Sequence, residues 1–252
     1  MKEREAVVQD NREVATDTFL MTLACDFPPF TPGQFLMLRI NSTCDPFLRR
    51  PLAILSLKGD SLEILYKVKG SGTSLLAGKR PGDVMSALGP LGNGFSTPGQ
   101  DEEAIYIAGG TGLPPILALA EKVRRGRLII GAFGENDIPL WNRISSIRDV
   151  HAQATTEDGS FGKKGLATEA LKDLLHEISQ PSIIYACGPE GMLREITEQA
   201  RMFGARCEVS LEEYMACGFG VCSACVVKTS EDSRKVCAQG PVFDAFSIKW
   251  RD

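Results

Sequence analysis

Ala104-Ile105-Tyr106-Ile107-Ala108-Gly109-Gly110-Thr111-Gly112-Leu113-Pro114-Pro115 is the stretch on which the reading of the fold turns. Ala104–Ala108 reads as a buried strand and Leu113–Arg124 as a helix, with Gly109, Gly110, Thr111 and Gly112 between them. Pro114 and Pro115 fit the first helical turn, where a missing N–H costs nothing. Glycines at such a junction let the backbone approach a diphosphate, and the helix amino terminus supplies unpaired N–H donors and a favourable dipole. The run departs from G-x-G-x-x-G, so taken alone it suits an ordinary tight turn as well.

Downstream the same texture repeats. Strands at Leu128–Phe133, Val150–Thr155 and Ser182–Ala186 alternate with helices at Thr168–Ile178 and Glu190–Phe203, the order of a parallel α/β sheet. Cys187-Gly188-Pro189 stands where Ser182–Ala186 ends, at the carboxyl edge, where ligands of open α/β sheets bind. Thr155–Ser160 ends a strand on that edge too. Glu135, just past the second strand, is placed to meet a ribose 2′-hydroxyl, and an acid there repels a 2′-phosphate and favours NAD over NADP. A solvated loop carboxylate is the other reading of Glu135.

Upstream the pattern is different. Short apolar strands at Gln34–Ile40, Leu62–Val68 and Val84–Leu88 are broken by Thr31-Pro32-Gly33, Gly59-Asp60 and Pro81-Gly82-Asp83, which predicts an antiparallel barrel. Arg49-Arg50-Pro51-Leu52-Ala53 lies between strands, and Arg50 is able to form a fixed fork on a diphosphate. Gly70-Ser71-Gly72-Thr73-Ser74 resembles a glycine-rich turn opening a helix, with N–H and hydroxyl donors for phosphate; both segments also read as plain loops. Gly92–Gln100 is rich in breakers and marks the boundary. The expected fold is multidomain α+β: a barrel over 1–99, an α/β domain over 100–206 and a small cysteine-rich segment over 207–252.

That last segment holds Cys217, Cys222, Cys225 and Cys237 in the spacing C-x4-C-x2-C-x11-C, interleaved with Gly218, Gly220 and small residues. C-x4-C-x2-C with a distant fourth cysteine is the plant-type 2Fe–2S pattern. Small residues let the backbone wrap closely and aim N–H groups at the sulfurs. A structural zinc site usually takes two C-x2-C-like knuckles and only one exists here; zinc and plain buried cysteines remain as alternatives. Cys25, Cys44, Cys187 and Cys207 are scattered, and for Cys207 a buried structural role is expected.

Composition sets the outer bounds. The 252 residues are 43% hydrophobic and 24% charged, enough for two domains with real cores. A formal charge of −4 speaks against a nucleic-acid partner. Met1-Lys2-Glu3-Arg4-Glu5 lacks the apolar stretch of a secretory signal, and no window approaches the ~20 apolar residues that span a bilayer, so no membrane is expected and the location expected is cytoplasmic. In a reducing compartment eight cysteines point to metal or redox chemistry.

Taken together the motifs resemble the electron-transfer (iron–sulfur flavoprotein) subunits of type B dihydroorotate dehydrogenase, a branch of the ferredoxin reductase superfamily. The resemblance runs from Gln34 to about Phe243 through Pro32-Gly33-Gln34-Phe35, Arg50-Pro51-Leu52, Leu65-Tyr66-Lys67-Val68, Gly72-Thr73, Gly109-Gly110-Thr111-Gly112, Asp158-Gly159-Ser160, Cys187-Gly188-Pro189 and Glu213-Tyr214-Met215-Ala216-Cys217-Gly218. It implies an FAD-binding barrel, an NAD-binding α/β domain and a carboxyl-terminal 2Fe–2S segment. FAD would be held by Arg50, Pro51, Leu52, Ala53, Leu65, Tyr66, Lys67, Gly72 and Thr73, and the cluster by Cys217, Cys222, Cys225 and Cys237. The family usually places Ser or Thr where Ala53 stands. The activity implied is an NAD-linked oxidoreductase subunit of pyrimidine biosynthesis. It would work in a heterotetramer with an FMN-containing catalytic subunit, which this chain is too short to include. Reductase subunits serving a hydrogenase or a ferredoxin-linked transhydrogenase, and a zinc-stabilised binding module, are the alternatives.

Overall fold

The structure is a computed structural model and describes residues 2–43 and 45–250, so Cys44 lies outside the described residues. Its amino-terminal part is a closed antiparallel barrel of strands β1 (Glu3–Ala15), β2 (Thr18–Ala24), β3 (Phe35–Arg39), β4 (Arg50–Lys58), β5 (Ser61–Lys67) and β6 (Val84–Leu91), with helix α1 (Ser71–Ala77) between β5 and β6. Around the barrel they run β1-β2-β5-β4-β3-β6. β6 shows why a strand forms there: Met85, Ala87, Gly89 and Leu91 are buried while the residues between them are not, the period of two that a one-sided sheet requires. The core gathers Leu23, Leu36, Ile54, Leu62 and Ile64 from four strands. β1 and β2 lie in the stretch 1–33, where the expected barrel had no strand located: beyond Val8 the β1 side chains are polar or only partly covered, so its composition carries no strand signal. Arg50–Ala53, expected between strands, instead begin β4 and pair with β3.

The second part is built on β7 (Glu103–Gly109), α2 (Leu113–Val123), β8 (Gly126–Ala132), α3 (Trp141–Ser145), β9 (Val150–Thr156), β10 (Lys163–Lys164), α4 (Ala167–Glu177), β11 (Ser182–Cys187), α5 (Glu190–Phe203) and β12 (Arg206–Ser210). The sheet order is β10-β9-β8-β7-β11-β12-β15, where β15 (Val242–Asp244) joins antiparallel at the edge and every other pairing is parallel. After β7 the chain winds to one side, and after β11 to the other. β7 and β11 are neighbours, so their carboxyl ends form the switch point where such sheets open a crevice. All six residues of β11 are buried, because α2 covers one face and α4 with α5 the other.

α2 is apolar nearly all round, Leu113 to Ala120 all being buried, because it is pressed between the sheet and the barrel residues Leu20, Leu55 and Leu65. Polar bridges reinforce that seam: Arg143 grips Glu63 of the barrel at 2.8 Å and Glu121 of α2 at 2.6 Å, and Lys67 faces Asp137 at 3.5 Å.

The carboxyl-terminal segment carries the hairpin β13 (Val226–Lys228) and β14 (Ser233–Lys235), the short helix α6 (Val236–Gln239) and β15. β12 starts at Arg206 and runs past residue 207, and β15 returns to pair with it, so sheet and segment interlock. Cys225 and Cys237 share a buried cluster with Phe35 and Met37 of the barrel. Among the described residues no helix is long and apolar enough to cross a membrane.

Candidate functional site

At the switch point the backbone itself forms the surface. Gly112 lies so close to β11 that an added Cβ would stand 2.1 Å from the Cys187 carbonyl oxygen. A Cβ on Gly188 would come within 2.3 Å of Met192 Cε, and one on Gly109 within 2.7 Å of Met192 Sδ. The two glycine motifs therefore meet across β7 and β11. Gly109, Gly110 and Thr111 open into a cavity of about 460 Å³ whose other walls include Pro189, the β8 end at Gly131–Phe133, and the start of α4. A surface without side chains at the end of parallel strands suits a diphosphate. Glu135 is exposed, its N–H donates to Ser160 Oγ at 2.8 Å, and it is not among the residues lining this cavity. Asp137 and Glu157 are the acids at its mouth, with Glu195 beside Met192.

A second cavity of about 240 Å³ lies between barrel and sheet. Its barrel wall is Pro51, Leu52 and Ala53 of β4, Leu65, Tyr66 and Lys67 of β5, and Thr73. Opposite stand Thr111, Pro114, Cys187 and Glu212. Leu65, Tyr66, Lys67 and Thr111 line both cavities, so the two adjoin. The Tyr66 side chain is anchored in the barrel: its hydroxyl donates to Asn11 Oδ1 at 2.9 Å, and burial pushes its pKa up. Cys187 is 3% exposed, and burial raises its thiol far above the usual value, which keeps it a neutral apolar wall. Arg50 does not line this cavity; its guanidinium spans the place where a Gly72 Cβ would sit, 2.3 Å from Nε. Thr73 Oγ1 accepts from the backbone N–H of Lys69 at 2.9 Å, holding the Gly70–Thr73 turn against that arginine.

Four cysteines complete the row. They fall into two neighbouring pairs, Cys217 with Cys222 and Cys225 with Cys237, each joined by a backbone N–H to sulfur hydrogen bond. Backbone N–H groups point at the sulfurs: Gly220 at Cys237 (3.1 Å), Cys222 at Cys217 (3.5 Å) and Cys237 at Cys225 (3.4 Å). Burial alone would raise the Cys217 thiol, but N–H groups of Cys222, Phe219 and Val221 outweigh it and bring it down to about 6. Cys237 moves the other way, pushed up to about 12 by burial and by Cys225 beside it. The loop can turn this tightly because Gly218 (φ +80°) and Gly220 (φ +90°) take left-handed backbone, and a Cβ on Gly218 would meet Met37 Cγ at 2.4 Å. Among the described residues no three His, Cys, Asp or Glu side chains converge on a single ion. Two thiol pairs suit a two-iron cluster, in which each iron takes two thiolates, better than one tetrahedral zinc.

Met215, which the sequence offers only as one member of the Glu213–Gly218 motif, has a contact of its own here. It stands two residues before Cys217 and lines the cavity that holds Ala53 and Thr111, so the cysteine loop abuts that cavity. Only the return of the chain through β12 brings it there.

Known proteins bear on this arrangement. The iron–sulfur cluster binding domain of dihydroorotate dehydrogenase B matches residues 212–249. The dihydroorotate dehydrogenase B (NAD(+)) electron transfer subunit of Caldanaerobacter subterraneus is 36% identical over 248 residues, 97% of each chain. That of Geobacillus kaustophilus is 37% identical over 254 residues, 96% of each. Among solved structures, an NADH-dependent reduced ferredoxin–NADP oxidoreductase is similar with a TM-score of 0.85 and 26% identity, covering 97% of this chain and 90% of that one. An Amycolatopsis cytochrome P450 reductase shares the fold at a TM-score of 0.70 and 21% identity, covering 80% of this chain and 66% of that one.

Proposed function

The chain belongs to the family of dihydroorotate dehydrogenase B (NAD(+)) electron-transfer subunits, and from that premise we propose how its residues divide the work. It is an oxidoreductase subunit that passes electrons between a catalytic dehydrogenase partner and NAD, with FAD and a 2Fe–2S cluster as its cofactors. The partner is an FMN-containing dihydroorotate dehydrogenase subunit, the assembly a hetero-oligomer, the electrons run toward NAD+, and the site of action is the cytoplasm. One observation carries the residue assignment: the glycine crevice, the cavity between barrel and sheet, and the cysteine loop adjoin in that order, joined by Thr111 on one side and Met215 on the other.

FAD, when bound, accepts a pair of electrons from or gives it to a nicotinamide, and exchanges single electrons with an iron–sulfur cluster. The chain's own part is placement. Gly109, Gly110, Thr111 and Gly112 with Cys187, Gly188 and Pro189 bring a dinucleotide backbone against β7 and β11. Pro51, Leu52, Ala53 and Leu65–Lys67 supply a flat wall for the isoalloxazine, while Arg50, Gly72 and Thr73 hold the flavin diphosphate. Buried, neutral Cys187 and the packing of α2 on the barrel keep water out of the junction. Cys217, Cys222, Cys225 and Cys237 hold the two irons, and the inward N–H groups stabilise their thiolate charge.

The test is Cys222→Ser in protein purified without oxygen. The variant is expected to lose iron and transfer to the partner, while NADH still reduces its FAD, read as bleaching of the flavin absorbance. Loss of FAD together with iron would show that the two sites do not belong to separable parts of the chain. Zinc in place of iron in the wild type would overturn the cluster assignment.

A further inference from the structure

Thr111 marks the barrel end of the larger cavity, since it lines the smaller one as well. From there the floor crosses three neighbouring strands, with Gly109 paired to Gly131 and Gly131 to Thr155. Strands spaced about 4.8 Å apart carry the floor roughly 10 Å to the tip of β9. At Gly109 and Gly131 it has no side chain, and a Cβ on Gly131 would stand 2.9 Å from Ala167 Cβ and 3.6 Å from Thr155 Oγ1. A long ligand entering beside Thr111 and lying on this floor ends at the tips of β8 and β9. There stand Phe133, which is 67% exposed, and the exposed carboxylate of Glu157. Ala132, Leu166 and Ala167 make the rest of that end apolar. Among the described residues lining the cavity the one cation is Lys67, at the barrel side and engaged with Asp137.

We propose that Phe133 and Glu157 form the adenosine end of the NAD(H) site, an inference that rests on reading this cavity as the nucleotide site. The Phe133 ring stacks on the purine, and Glu157 accepts hydrogen bonds from the ribose hydroxyls. A large ring left in water on the rim of a concave site gains by being covered with a flat apolar partner. A 2′-phosphate at this end meets the Glu157 carboxylate, while the neighbouring cation, Lys164 on β10, is paired with Thr156 and does not line the cavity, so NADP is disfavoured by repulsion and lost hydration. The part first expected of Glu135 thus falls to Glu157, one strand further along the edge.

Isothermal titration of the intact cofactor-loaded protein with ADP-ribose, which has the adenosine end and no nicotinamide, tests this without turnover. Phe133→Ala is expected to weaken ADP-ribose about tenfold, with affinity kept by Phe133→Trp. Glu157→Gln is expected to narrow the preference for NADH over NADPH several-fold. Both side chains are exposed, so both variants should keep the wild-type melting temperature. Unchanged ADP-ribose affinity in Phe133→Ala overturns the proposal, as does a Glu135→Gln variant that narrows the preference while Glu157→Gln does not. If the wild type itself binds neither ADP-ribose nor NADH, the nucleotide reading falls; if the wild type binds and the variants do not respond, only this assignment falls.

Discussion

Gly112 carries the sharpest demand of any residue in the crevice. The oxygen 2.1 Å from its would-be Cβ belongs to the backbone of β11, held in the sheet and unable to swing aside. Gly112→Ala should therefore lower stability by about 1–3 kcal/mol, as overpacking in a tight site does. A shifted urea midpoint and weaker NADH binding would check it. The glycine run and the cysteine spacing were legible in the sequence because each is local: neighbours in the chain are neighbours in space. Glu157 and Met215 stand inside motifs that assign them no role of their own, and Phe133 carries no local signal. An exposed acid, an exposed aromatic and a methionine acquire meaning only when separate strands bring them to one cavity.

The strand β15 is three residues long and has no hydrophobic period to announce it, yet it ties the cysteine segment to the sheet. Its Phe243 is 8% exposed and packs with Cys225, Cys237 and Val236. Phe243→Ala should cost about 3–5 kcal/mol as a buried aromatic deletion. It should also speed loss of iron, measured by chelator challenge, because the cluster loop shares that packing. The strands β7 and β11 and the helix α5 could be read from sequence, since long apolar or amphipathic runs between turn residues leave few choices. β1 could not, because a barrel strand whose outer half is polar resembles a loop until its partners are present, and β2, a short apolar run, is defined by its pairing with β1 and β5.

For the whole molecule, the relation of barrel to sheet decides whether the cavities join. Arg143 lies at that seam, forked onto Glu121 and reaching Glu63. Burial alone would raise the Glu63 carboxyl, but hydrogen bonds from Ser56 and Arg143 hold it below the ordinary 4.5. A carboxyl so depressed contributes stability above its unfolded value and loses that contribution as pH falls through its folded value. The stability gap between wild type and Glu63→Gln should thus be full at neutral pH and shrink below about pH 4.5, followed by urea titration at several pH values. Arg143→Met should cost about 1–3 kcal/mol, less than a fully buried pair because the triad is partly solvated. Sequence alone determined the barrel, the α/β sheet, the cysteine loop and their order, because turn residues, hydrophobic period and ligand spacing are written along the chain. Tertiary structure decided that β12 and β15 weave the cysteine loop into the sheet and that Met215 and Thr111 border one cavity. It also decided which acid stands at the far end of the larger cavity's floor. Those facts depend on how surfaces pack across the seam, and packing is settled between distant segments of chain.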